Sequence, residues 1–149
     1  MSDTDSELLV APLTIEYPFL RTTGPVIGAF LTALVDSKVI GIRAADGRVV
    51  CPPVEYDPVT AEPLTELVEV GTSGVVTSCS WVSHVRDGQA LDRPHYLALI
   101  QLDGADTSMM HVVDAPQGSL SVGDRVHVRW RDEREGLITD IEAFEREDH

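Results

Sequence analysis

Apolar positions along this chain change period twice. From Gly24 to about Lys38 they recur at three- and four-residue spacing, with Val26, Ile27, Phe30, Leu31, Leu34 and Val35 on one broad stripe. That pattern predicts an amphipathic helix. Thr22, Thr23 or Gly24 can cap it, and Pro25 fits the first helical position, where its missing N–H costs nothing. Thr32, Asp36, Ser37 and Lys38 are almost the only polar residues, so the helix needs cover on more than one side. Its own chain or another subunit can supply that cover. Upstream, Leu8 to Phe19 shows no clear period and reads as an extended arm. Its Leu13, Ile15, Tyr17 and Phe19 either pack on the chain's own core or meet a partner. Residues 1–7 are charged and polar, and disorder is expected there.

Downstream of the helix the period falls to two. Val39–Arg43 and Arg48–Cys51 can pair across Ala45-Asp46-Gly47, with Gly47 supplying the positive φ such a turn needs. Pro52-Pro53 ends that pairing, and Asp57-Pro58 opens a second tight turn suited to an Asx cap. Leu64–Val70 alternates in a mixed way that does not fix its faces. Val75–Ser83, Tyr96–Leu102, Thr107–Val113, Arg125–Arg131 and Leu137–Phe144 read as further strands, separated by Gly-containing turns and a long charged loop from His84 to Pro94. Short strands at this spacing predict a five-stranded OB-fold barrel rather than an immunoglobulin-like sandwich. The expected organisation is mainly β: arm and helix over 1–38, a ribbon hairpin over 39–63, a barrel over 64–145, and a solvated tail over 146–149.

The stretch from Gly41 to Ala61 has the layout of a zinc ribbon without its ligands. Arg43, Asp46, Asp57 and Thr60 stand where such a ribbon carries two close pairs of cysteines. A guanidinium repels a cation that thiolates would hold, so the hairpin is expected to fold without metal, its turns organised by Asx chemistry. No cofactor is expected.

Composition narrows the function classes. Eleven Lys and Arg face 25 Asp and Glu, for a formal charge of −14 over 149 residues. Such a chain gains nothing from counterion release on nucleic acid and is repelled by anionic lipid, so neither a nucleic-acid nor a membrane partner is expected. The acidic start is unlike a signal peptide and no apolar run is long enough to span a bilayer, so a reduced, cytoplasmic protein is expected. Two cysteines, Cys51 and Cys79, are too few for a disulfide scaffold, and a bridge between them is left open.

No catalytic set emerges. The histidines, His84, His95, His111, His127 and His149, lack zinc spacing, and there is no nucleophile elbow and no glycine-rich phosphate loop. One electrostatic feature stands against the acidic background. Arg125, His127, Arg129 and Arg131 alternate onto one face of a strand, opposite Val126, Val128 and Trp130. They either pair with nearby acids such as Asp132, Glu133 and the tail, or form a dock for an acidic surface or for phosphate groups, joined by Arg86 and Arg93.

A family resemblance rests on the order of several segments: Tyr17-Pro18-Phe19, Gly24-Pro25, the ribbon remnant ending in Cys51-Pro52-Pro53, Trp81-Val82, Tyr96 to Gly104, and Val122-Gly123-Asp124-Arg125-Val126. Over roughly positions 13 to 145 the chain resembles the DUF35 family, in which a rubredoxin-like zinc ribbon precedes an OB-fold barrel. The absent ligands depart from that pattern. The resemblance implies a non-catalytic partner of a thiolase-like enzyme, including the lipid-transfer-protein type. Such enzymes act on acyl-CoA thioesters as thiolases or retro-aldolases, often in steroid or fatty side-chain degradation. On this reading Tyr17, Phe19, Val26, Phe30, Trp81 and Tyr96 are candidates for the partner interface. Arg86, Arg93, Arg125, Arg129 and Arg131 are candidates for acyl-CoA binding. The alternatives are a stand-alone acyl-CoA or acyl-lipid binding module and, against the net charge, a nucleic-acid barrel using Trp81, Trp130 and Tyr96.

Overall fold

The computed structural model describes residues 10–148; the expectation for residues 1–7 lies outside the described residues. Residues 10–22 form no helix or strand. The helix α1 (Gly24–Val35) follows, with Thr23 at its N-cap and Pro25 in its first turn. It ends before Lys38 because the chain turns there: the Asp36 and Ser37 N–H groups close back on Ala33 and Leu34, and Ser37 takes a positive φ of 58°. Val26, Phe30 and Leu34, one turn apart, are buried.

Three strands make a small antiparallel sheet: β1 (Val39–Arg43), β2 (Val49–Val50) and β3 (Leu67–Val70), in the order β2-β1-β3. The expected hairpin is present, with Ile42 opposite Val50 and Arg43 opposite Val49, and Gly47 at φ 87°. The barrel expected from residue 64 instead begins at Ser73. Leu67–Val70 pairs with the free edge of β1, Val39 opposite Val70 and Ile42 opposite Leu67. The Arg43 N–H donates to the Glu66 carbonyl at 2.8 Å and extends that ladder. The mixed alternation of this segment could not reveal which sheet it joins.

The barrel consists of β4 (Ser73–Val82), β5 (His95–Leu102), β6 (Met109–Val113), β7 (Arg125–Trp130) and β8 (Ile141–Arg146), closed in the order β4-β5-β6-β8-β7. Every pairing is antiparallel except β6 with β8. Closure removes the exposed edges an open sheet would carry. A bulge between Val76 and Ser78 shifts the phase of β4, so Val76 points inward before it and Cys79 and Trp81 pack on the core after it. Gly74 is obligatory for a steric reason: a Cβ there would stand 2.3 Å from the Gln101 carbonyl oxygen. The last strand starts at Ile141, not Leu137. The Asp140 carboxylate takes the N–H groups of Glu135, Gly136 and Leu137 and folds 135–140 into a turn.

Sheet and barrel share one core. Phe30, Leu34, Val39, Val49 and Cys51 pack in the same cluster as Ile100, Val113 and Phe144. The joint is also hydrogen-bonded. The Thr107 hydroxyl accepts from the Cys51 N–H at 2.8 Å and donates to its carbonyl at 3.0 Å. The Asp106 carboxylate accepts the Val49 N–H at 2.8 Å. Residues 106 and 107, expected near or in β6, are used for this joint.

Candidate partner-binding surface

The six aromatic and apolar residues expected at a partner interface separate by burial. Val26 and Phe30 are buried by the ribbon sheet and the main core respectively. Tyr96 is buried as well, and its hydroxyl accepts the Gly118 N–H at 2.6 Å. These three are corrected to core residues: the cover that the apolar helix demands comes from its own chain. Part of it is the turn before β8, where the Arg134 guanidinium donates to the Val35 carbonyl at 2.9 Å at the helix end. Trp81 is half-buried, set edge-on to Tyr96 with ring centroids 4.9 Å apart. Tyr17 and Phe19 are each 80% exposed. The arm therefore does not pack on the chain's own core.

The alternation of β7 is as expected, Val126 and Val128 inward and Arg125, His127 and Arg129 outward, but the cations are already engaged. Arg125 forks onto Asp103 at 2.6 and 3.0 Å and reaches Glu147 at 3.1 Å. Arg129 holds Asp114, Glu142 and Glu145 at 2.9, 2.5 and 2.6 Å. Arg93 shares Asp114 with it. His127 lies 3.5 Å from Glu145. Burial works to lower the Arg129 pKa, but its three carboxylates overcome that and raise it. Burial likewise pushes Asp114 up, and Arg93 and Arg129 bring it below the usual carboxylate range. A phosphate would have to displace these carboxylates, so Arg93, Arg125 and Arg129 are corrected from an open anion dock to a self-paired network. Of the expected partners, Asp132 and Glu133 take no part, whereas Glu145 and Glu147 near the C-terminus do; Glu142 of β8 and Asp103 and Asp114, just past β5 and β6, complete the set. Among the described residues Arg86 and Arg131 make no ion pair.

An open cleft of ≈ 580 Å³ beside β7 contains Arg131, yet Asp132, Glu133, Glu135, Asp140 and Glu142 make it acidic on balance. It is a poor receptor for coenzyme A phosphates. A second, apolar dimple of ≈ 210 Å³ is lined by Leu97, Met110, His111, Val112, Ile138 and Ile141, among others. It is smaller than a typical small-molecule site. His111 stacks edge-on to Phe144 at 5.6 Å, and burial holds its pKa low, so it stays neutral as part of the barrel wall. Around the dimple Leu97, Leu99, Met110 and Ile138 are exposed. This outer face of β5 and β6 was not legible in sequence, because the Tyr96–Leu102 run reads as apolar on both sides.

Cys51 offers no nucleophile. Both thiols are free; Cys51 is buried, and that burial pushes its pKa up to about 12. Among the described residues no group of His, Cys, Asp and Glu is placed to hold a metal ion. At the ligand-pair positions a carboxylate joins the two turns instead. The nearly buried Asp57 accepts the Ala45 N–H at 3.0 Å through one oxygen, and the Val59 and Thr60 N–H groups at 2.7 and 3.0 Å through the other. Those bonds, the one from Ala45 first, hold its pKa low. Among the described residues no helix is long and apolar enough to cross a membrane.

Comparison with known proteins agrees with this architecture. Residues 67–131 match the family model for the C-terminal OB-fold domain of ChsH2. No curated protein matches the chain. Among solved structures, a DUF35-family protein of unknown function from Sulfolobus solfataricus is similar at 24% identity and a TM-score of 0.57, over 71% of this chain and 78% of that one. A chain of the Ltp2–ChsH2(DUF35) aldolase is similar at 20% identity and a TM-score of 0.59, over 85% of this chain and 98% of that one. At these identities the two structures speak for the fold, and the family model speaks for the barrel. The chain resembles the DUF35 family in both.

Proposed function

We propose that this chain is an accessory subunit of a thiolase-like enzyme of the lipid-transfer-protein type, an acyl-CoA aldolase or thiolase, in a cytoplasmic complex. The observation that carries this reading is the match of the barrel to the ChsH2 C-terminal domain, within a fold that covers nearly the whole of a ChsH2(DUF35) chain found with Ltp2. The absence of a catalytic constellation among the described residues is compatible with it, since bond cleavage would fall to residues of the partner. The chain's part would be to complete and stabilise the enzyme. If it also walls the acyl-CoA site, the cations open for that task are Arg86 and Arg131 rather than the paired arginines of β7. A steroid or fatty side chain is the substrate class this reading favours, and the chain is expected to need no zinc.

The test is reconstitution. The chain is co-expressed with each Ltp2-type subunit of its own host, and the purified pair is assayed for retro-aldol and thiolytic cleavage of steroid side-chain and fatty acyl-CoA thioesters. A stoichiometric complex with activity that neither chain has alone supports the proposal. A soluble monomer that binds acyl-CoA unaided and associates with none of these subunits refutes it.

A further inference from the structure

The arm that precedes α1 is the largest unexplained apolar feature of the molecule. From Val10 to Phe19 no residue has a positive φ, none lies in a helix or strand, and all are exposed. Val10, Leu13, Ile15, Tyr17, Phe19 and Leu20 are between 64% and 105% exposed. A fully exposed aromatic side chain presents roughly 150–250 Å². The six together present on the order of 800 Å², about what each partner gives to an interface of standard size. A stable monomer rarely leaves so much contiguous apolar surface in water.

The residues are also ordered along the arm. Leu13, Ile15, Tyr17 and Phe19 fall on one parity, and Pro12, Thr14, Glu16 and Pro18 on the other. In extended chain, residues of one parity share a face with their side chains and share an edge with their N–H and C=O groups. Both prolines, which lack an N–H, therefore lie on one edge. The opposite edge keeps a full set of donors and acceptors from Leu13 to Phe19. Such a segment can pair along one edge only, and its second edge is closed to further strands.

We infer that residues 13–19 bind as an added β-strand on an open sheet edge of the thiolase-like partner subunit. Leu13, Ile15, Tyr17 and Phe19 enter apolar pockets beside that edge, and Pro12 and Pro18 face away from it. This rests on the accessory-subunit reading and specifies how the contact is made: by main-chain pairing for affinity and alternate side chains for specificity. A second copy of this chain is a poorer acceptor: its barrel is closed, and the open sheet beside it ends in a two-residue strand, β2, and a four-residue strand, β3, both shorter than residues 13–19.

The experiment measures association of the full chain with the purified Ltp2-type subunit by calorimetry and gel filtration. The arm contributes nothing to the buried core, so thermal melting of each free variant checks that folding is intact. Ile15→Pro removes a pairing donor and Glu16→Pro removes one from the edge that already lacks them; Ile15→Ala controls for the lost side chain. The expected order is a loss of at least a hundredfold for Ile15→Pro, a smaller loss for Ile15→Ala, and less than threefold for Glu16→Pro. Tyr17→Ser with Phe19→Ser should also cost at least a hundredfold. Equal losses for the two proline variants overturn strand addition, and unchanged binding by the serine pair overturns the arm as the contact, while both leave the accessory reading intact. Failure of the unaltered chain to bind any Ltp2-type subunit overturns both. An arm-dependent dimer of this chain overturns the choice of partner.

Discussion

Asp57 joins the two turns of the ribbon through three backbone N–H groups, and removing it tests whether that hydrogen bonding organises them. One carboxylate oxygen serves Val59 and Thr60 within its own turn; the other crosses to Ala45 in the hairpin turn. Asp57→Asn separates these roles. The remaining amide oxygen can keep the local Asx turn, but the –NH2 that replaces the second oxygen meets the Ala45 N–H donor to donor. Asp57→Ala removes all three bonds. A hydrogen bond to a charged acceptor is among the stronger intramolecular bonds, and losing one from a domain of this size lowers Tm by roughly 3–5 °C. Val59 and Thr60 are exposed enough for water to recover part of that loss. The expected falls are therefore about 4 °C for Asn and roughly 10 °C for Ala.

The sign of the pH effect follows from the lowered Asp57 pKa. Its contribution is complete above the unfolded-chain value near 3.9 and fades as pH falls through the folded value below it. The unaltered protein should thus lose stability on acidification below about pH 4, and Asp57→Ala should lose less over the same interval. Thermal melts by circular dichroism from pH 7 to pH 3 measure both effects, and amide exchange at Ala45 localises the change. Equal melting of the Asn and Ala variants, or a neutral Ala variant, would refute the idea that Asp57 bridges the two turns.

Two other outcomes are expected. Arg129→Met leaves Asp114, Glu142 and Glu145 facing one another with only Arg93 and His127 nearby, at a cost of about 1–3 kcal/mol at pH 7 in urea titrations. Asp114, whose folded pKa is lowered, withdraws its stabilisation from the unaltered protein as pH falls, so the deficit of the variant should shrink between pH 7 and pH 3; a constant deficit would count against the network. Association with the partner subunit should weaken by less than about threefold between 50 and 500 mM salt, measured by calorimetry, because apolar contact outweighs charge. A tenfold weakening would point to an electrostatic dock instead.

Much of the fold was legible because local chemistry and tertiary context agree. Gly47 and Asp57 mark turns by their own backbone requirements, and Val126 and Val128 alternate without ambiguity. The misses have particular causes. Leu67–Val70 has a sequence compatible with either sheet, and only the free edge of β1 decides the matter. An extra residue in β4 reverses the apparent faces beyond Val76, which no alternation count detects. Phe30 and Tyr96 are apolar enough for an interface or a core, and sequence carries no term for which surface arrives first. The arm was left open between core and partner contact, and its period went unseen because Val10 and Pro12 blur the strict alternation of residues 13 to 19 when Leu8 to Phe19 is scored together.

The accounting of cations shows why a basic strand in an acidic chain need not be a binding site. Lys38, Arg43, Arg48, Arg93, Arg125, Arg129 and Arg146 each reach a carboxylate. Arg134 spends its guanidinium on the carbonyl oxygens of Val35 and Arg131. Arg21, Arg86 and Arg131 are left without an ion pair among the described residues, too few to neutralise coenzyme A phosphates in a field set by 25 acids. On the proposed reading, an acyl-CoA site completed by this chain would therefore draw most of its positive charge from the partner. The exposed arm, by contrast, offers apolar area and, over residues 13 to 19, an alternation with both prolines on one parity. If the proposed function holds, the contact would be made by main chain and apolar side chains, with the phosphates held by the other subunit.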